Sequence, residues 1–156
     1  MSQEILSKIK LFLDEHNIKY VVSVHAPVFT SEEAAKIRGA ELSSGAKAMI
    51  MRSKGNFFMF VLPGDKKMDL RKVKRILGTD RLSFASSNEA LKITDCVVGS
   101  IPPFGNIFNI PVYVDVSLLR NEFINFNGGL HTHSVQMRCE DYIAAVNPIK
   151  ENFVQD

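Results

Sequence analysis

Lys47-Ala-Met-Ile-Met-Arg52 and Asn56-Phe-Phe-Met-Phe-Val-Leu62, joined through Ser53-Lys-Gly55, decide how the chain folds. Two apolar runs rich in strand formers, with a glycine closing the short link between them, predict a β-hairpin. Antiparallel neighbours of this kind break any regular series of strand, helix and parallel strand. The expected class is therefore α+β around a mixed sheet.

Working outward from the hairpin, helical periodicity brings Ile5, Ile9, Phe12 and Leu13 to one side of a helix from Ser2 to about Asn17. Ser2 suits its N-cap and Asn17 its left-handed stop. Tyr20 to Val24 reads as a strand. Thr30 with Glu33 has the spacing of a capping box, opening a short helix that Gly39 closes. Beyond the hairpin, Asp69 caps a helix expected to turn Leu70, Val73, Ile76 and Leu77 inward, and Gly78 ends it. Leu82 to Ala85, Cys96 to Val98, Val112 to Val116, Phe123 to Phe126 and His133 to Met137 are expected strands. Ser86 with Glu89 opens one more short helix. Glu140 to Val146 is the last, stopped by Asn147-Pro148.

With 156 residues, 46% hydrophobic and 23% charged, the chain has the composition of one globular domain, residues 1–156, rather than a disordered or collagen-like polymer. Cys96 and Cys139 lack metal-binding or redox spacing and fit free, buried thiols in a reducing compartment. The first ten residues interleave charge with apolar side chains, unlike a secretory leader, and no apolar run reaches the ~20 residues of a membrane span. A cytoplasmic location with no membrane partner is the expectation.

Net charge is only +2, yet Lys66, Lys67, Arg71, Lys72, Lys74 and Arg75 place six of nineteen cations within ten residues. Arg71, Lys74 and Arg75 share a helix face by spacing, so the local field suits a phosphate backbone; a merely solvated face has the same pattern. Gly99-Ser-Ile-Pro-Pro-Phe-Gly105 cannot pair as a strand, because Pro102 and Pro103 lack N–H groups. Such a rigid turn either holds a polar group on its backbone or simply connects two elements. Lys47, at the head of an apolar strand, either meets an anion in a cleft or reaches out to water. His131 and His133 would share a face of an extended segment, but no third ligand stands at metal-site spacing, so no metal is expected. Phe29 lines a pocket or belongs to the core.

Five segments together resemble the YbaK/ProX family of aminoacyl-tRNA deacylases, free-standing relatives of the editing domain of bacterial prolyl-tRNA synthetases. They are His25-Ala-Pro-Val-Phe-Thr-Ser-Glu-Glu-Ala34, Gly45-Ala-Lys47, Phe60-Val-Leu-Pro-Gly-Asp65, Gly99 to Gly105, and Phe126-Asn-Gly-Gly129. The resemblance implies a single α+β domain with a mixed, curved sheet surrounded by helices, and hydrolysis of the ester linking a wrong amino acid to the 3′-terminal adenosine of tRNA, without metal or organic cofactor. It implies that Lys47 contacts the terminal adenosine and its phosphate, and that Gly99 and Pro103 mark the Gly-x-x-x-Pro element beside the scissile ester. His131 falls near a histidine of prolyl editing domains, with His133 as the alternative.

On this reading Lys47, Gly99, Pro103 and His131 are the candidate catalytic set. Phe29, Thr30, Met49, Ile101, Gly105 and Gly129 are candidate substrate contacts. Lys66, Lys67, Arg71, Lys74 and Arg75 are candidate tRNA contacts. An aminoacyl ester is already activated, so a held water or the neighbouring ribose 2′-hydroxyl can attack once positioned, with backbone N–H groups facing the oxyanion. Phe29, Met49 and Ile101 would wall a size sieve for a small amino acid such as Ala, Cys, Ser or Thr. The expected partners are the acceptor end of tRNA and an aminoacyl-tRNA synthetase. The competing expectation is a non-catalytic module that docks tRNA or a synthetase.

Overall fold

A computed structural model describes residues 2–156. The expected hairpin forms, with Ser53 paired in the strand rather than left in the link: β2 (Ala46–Ser53) pairs antiparallel with β3 (Asn56–Pro63), and Ser53 faces Asn56 directly. The loop is therefore two residues, Lys54 and Gly55, with φ of 52° and 81°. Positive φ at both positions is the turn whose twist matches the flanking strands. β3 is apolar almost throughout because both its faces are covered. Met59 and Val61 enter the main core, whereas Phe60 and Leu62 enter a second core.

The α+β class holds, with the strands divided between two sheets. α1 (Ser2–Glu15) precedes β1 (Tyr20–Val24) and α2 (Ser31–Arg38). After the hairpin come α3 (Leu70–Leu77), β4 (Ser83–Phe84), α4 (Ser87–Thr94) and β5 (Val112–Asp115). β6 (Phe123–Asn127), β7 (His133–Arg138), α5 (Cys139–Val146) and β8 (Ile149–Glu151) complete the order. The larger sheet runs β4-β2-β3-β5-β8, mixed because β5 joins β3 and β8 joins β5 in parallel. The smaller, β1-β7-β6, is antiparallel, and one bridge between Gly45 and Asn125 stitches the two together.

Capping chemistry sets the helix bounds. Thr30 accepts from the Glu33 N–H, Asp69 accepts from Arg71 and Lys72, and Ser86 forms a full capping box with Glu89. Ser2 opens α1 from within rather than ahead of it; its side chain lies outside the described residues. Ile5, Leu6, Ile9 and Leu13 pack into the main core with Phe104, Phe126 and Tyr142. Met51, Phe60, Leu62, Val73 and Phe153 form the second core, under α3.

Two expectations are corrected, and one strand was not foreseen. Cys96 to Val98 is not a strand: a buried Thr94 hydroxyl takes the Cys96 N–H, and a turn follows at Val98-Gly99. Leu70, expected inward, is 42% exposed at the start of α3. β8 carries too few residues to announce itself, and its parallel pairing with β5 is a long-range event.

Candidate active site

A cavity of about 220 Å³ opens where α2, the head of β2, β6 and the Val98–Ile101 turn converge. Its wall includes Phe29, Thr30, Lys47, Met49, Gly99 and Ile101, so six of the residues singled out from the sequence meet in one place. Small side chains from two elements, Ala34 and Ala35 of α2 and Ala46 and Ala48 of β2, keep it open. Phe29 stands at the mouth, 68% exposed, with its ring 4.7 Å from that of His131.

Lys47 is half-buried, and its Nζ donates to the Lys66 carbonyl at 2.7 Å. Burial pushes the ammonium below its ordinary value; Glu32 and Asp65 pull it back up, and Lys67 opposes them. Among the described residues the β2 edge beside it has no strand partner, since β4 pairs only with Met51 and Arg52. Ala85 N–H donates to the Ile50 carbonyl on that edge. By antiparallel alternation, the Ala48 N–H and C=O face the same way, toward the opening.

The Gly99–Gly105 loop is held by its carbonyls. The Gly99 carbonyl accepts from Asn127 Nδ2 at 2.6 Å, and that of Ser100 from Gly129 N–H at 3.1 Å. The Pro102 carbonyl accepts from Phe104 N–H, and that of Pro103 from the fully buried Tyr142 hydroxyl at 2.6 Å. Gly99 has φ 93°, at the third position of a turn closed by Ser100 N–H to Val97 O. Glycine belongs there because a side chain resists that conformation. Among the described residues the Gly99 and Ile101 N–H groups donate to nothing in the chain. The loop thus spends its acceptors on the scaffold and keeps donors spare.

Sequence reasoning missed Arg38. It lines the cavity, and its Nε donates to Ser134 Oγ at 2.8 Å and its Nη2 to Asn127 Oδ1 at 3.2 Å. Among the described residues no carboxylate pairs with it. Burial alone pushes the guanidinium down to about 10, so it remains charged at neutral pH. Ser134 passes the chain on: its hydroxyl meets His25 Nε2 at 2.7 Å, while His25 Nδ1 faces the Ala26 carbonyl. A carbonyl only accepts, which assigns the His25 proton to Nδ1 and leaves Nε2 to accept from Ser134. A cation at the end of a short helix carries no sequence signal of its own.

Other candidates lie behind the wall. Pro103 and Gly129 anchor the loop, and Gly105 packs against Val112 and Ile110 at the start of a 3₁₀ turn. His131 holds the Val28 carbonyl through Nδ1 at 2.9 Å, and its Cε1 lies 3.3 Å from where a Gly99 side chain would begin. His133 sits on β7 opposite Val24, with Nδ1 against Thr132. Of the basic cluster, Lys72 is taken by the C-terminus, donating to Asn152, the Val154 carbonyl and Asp156. Arg71, Lys74 and Arg75 join Lys54 and Arg81 around a shallow basin whose single acid is Asp80. Among the described residues, none of these five cations forms an ion pair, and no helix is long and apolar enough to cross a membrane.

Three comparisons with known proteins bear on this arrangement. Residues 25–145 match the model of the aminoacyl-tRNA editing domain family. The chain is 33% identical over 146 residues to the multifunctional Ser/Thr-tRNA deacylase ProXp-y of Escherichia coli (strain K12), covering 90% of this chain and 87% of that one. It is 32% identical over 111 residues to the prolyl-tRNA editing protein ProX of Acetoanaerobium sticklandii, covering 70% and 68%. A crystal structure described as a candidate trans-editing enzyme for prolyl tRNA synthetase superposes with a TM-score of 0.86, at 22% identity, over 97% of this chain and 98% of that one.

Proposed function

The chain belongs to the aminoacyl-tRNA editing domain family, and from that membership we propose a trans-editing hydrolase that clears a small amino acid from mischarged tRNA. The bond broken is the ester to the 3′-terminal adenosine. Water adds to the acyl carbon and the adenosine 3′-oxygen leaves with a proton, giving a free amino acid and intact tRNA. Serine and threonine head the candidate substrates, with alanine and cysteine as the other small ones, and a synthetase is a candidate partner.

The observation that carries this reading is that Lys47, Gly99 and Ile101 line one small cavity, and that the Gly99 and Ile101 N–H groups have no acceptor among the described residues. Two donors without acceptors suit the oxyanion of a tetrahedral intermediate, and fixed donors need no rearrangement as charge develops. The roles follow: Lys47 holds the phosphate of the terminal adenosine, and the Gly99 turn faces the acyl group. Met49 and Ile101, with the alanines behind them, limit the acyl side chain, and a wall of this kind separates substrates by about 1–3 kcal/mol per methylene. No strong nucleophile is required, because positioning an activated ester against water contributes several kcal/mol on its own. Cys96 is buried and its thiol is pushed up to about 11, which makes it a poor nucleophile.

The test is release of amino acid from alanyl-, cysteinyl-, seryl- and threonyl-tRNA by the pure protein. Turnover of at least one, abolished by Lys47→Ala without loss of fold, is the expected result. Binding of all four with turnover of none would make the chain an accessory tRNA-binding module instead.

A further inference from the structure

A second, open cleft lies across β2 from the cavity. The alternation along β2 explains the pair. Ala46, Ala48 and Ile50 face the main core and the cavity, while Lys47, Met49 and Met51 point to the α3 side. Because β4 leaves the head of β2 uncovered, the two depressions meet over that bare edge, and Lys47 and Met49 line both. The second cleft continues past Lys67, Leu70 and Phe84 to Arg71, which also lines the basin of Arg75 and Arg81. Three depressions therefore run in series, joined first by Lys47 and then by Arg71.

The middle cleft has features that neither the fold nor the hydrolysis explains. Phe84 is 48% exposed and Leu70 is 42% exposed, so two large apolar side chains face water across it. Cations stand at both ends and on the wall, as Lys47, Arg71 and Lys67. The one acid there, Asp69, is engaged in capping the Arg71 and Lys72 N–H groups. An aromatic face beside cations that, among the described residues, form no ion pair is the chemistry that receives an unstacked nucleobase and its phosphates.

We propose that this cleft seats the unpaired nucleotide preceding the acylated adenosine. This rests on the hydrolase reading. Lys47 then stands at the phosphate joining the two nucleotides, Phe84 and Leu70 carry the base, and Arg71 hands the backbone on toward the basic basin. The cleft thereby separates tRNA ends from free aminoacyl esters, since a lone aminoacyl-adenosine fills the cavity and leaves Phe84 uncovered.

The experiment compares binding of adenosine 5′-monophosphate with that of the unacylated trinucleotide 5′-CCA-3′, in the wild type and in Phe84→Ala, Leu70→Ser and Lys67→Glu. All three side chains are exposed, so the variants keep the fold. The trinucleotide is expected to bind at least tenfold tighter than the mononucleotide. Phe84→Ala should remove most of that advantage while leaving mononucleotide affinity within about twofold. A trinucleotide bound no tighter than the mononucleotide, or an advantage that survives all three substitutions, overturns the proposal. Hydrolysis of alanyl-, cysteinyl-, seryl- and threonyl-tRNA by the same proteins separates the two readings. A Phe84-dependent trinucleotide advantage in a wild type that hydrolyses nothing upholds the cleft and sinks the hydrolase. Hydrolysis with no Phe84-dependent advantage does the reverse.

Discussion

Asn127 donates from Nδ2 to the Gly99 carbonyl at 2.6 Å while its Oδ1 accepts from Arg38 at 3.2 Å. Since a carbonyl can only accept and a guanidinium can only donate, both ends of this amide are assigned by their partners. The side chain is a strut between a desolvated cation and the turn that presents the spare N–H groups. Asn127→Asp keeps the acceptor for Arg38 and loses the donor for Gly99. Deacylation is expected to fall about tenfold or more in kcat, with the melting temperature held or raised by the new ion pair. Equal losses in kcat and stability would make the strut a scaffold element only.

Gly99 carries φ 93° and faces His131 Cε1 at 3.3 Å from the position of a first side-chain carbon. Gly99→Ala therefore meets both backbone strain and a tight contact, a destabilisation of about 1–3 kcal/mol. Chemical denaturation should show that loss, and kcat should fall further than stability because the turn rotates away from the acyl group.

Lys47 is expected to oppose stability while serving chemistry. Burial lowers its folded value below the 10.5 of the free side chain, so between those two values the unfolded chain binds more protons than the folded one. Stability from this group consequently rises as pH climbs through that window. Lys47→Met should flatten the rise, increase the melting temperature at pH 7 and abolish deacylation. Urea melts at pH 7 and pH 10 on both proteins read the difference.

Arg71 and Arg75 line the outer basin and, among the described residues, form no ion pair. Reversing both to Glu should weaken tRNA binding at least tenfold and flatten its dependence on salt, because fewer counterions are released. The kcat at saturating tRNA should stay unchanged. An unaltered salt slope would move the tRNA surface elsewhere.

Both cysteines are buried and both thiols are pushed up by burial, Cys96 to about 11. Iodoacetamide at pH 7.5 is expected to leave both unmodified and activity intact, with alkylation only after denaturation, as mass spectrometry would show.

Most elements were legible in the chain because their signals act over a few neighbours. Thr30, Asp69 and Ser86 cap the helices they were expected to cap, and Gly39 and Gly78 close two of them with φ near 65°. Where a signal needed distant partners it misled or was silent. The β-branched Val97 and Val98 suggested a strand, yet neither pairs with a strand among the described residues, and both remain exposed. Ile149 to Glu151 carried no strand signal of its own and becomes β8 only by parallel pairing with β5.

Patterns within the chain, with the family resemblance, were enough to name most of the elements, the hairpin and six of the residues that gather around the cavity. Packing alone decided that Arg38 meets Asn127 and Ser134, 89 and 96 residues further on, and that one edge of β2 stays bare between two clefts. The reason is physical: caps and turns are satisfied locally, whereas desolvation of a cation and coverage of a strand edge depend on whatever the finished fold places beside them.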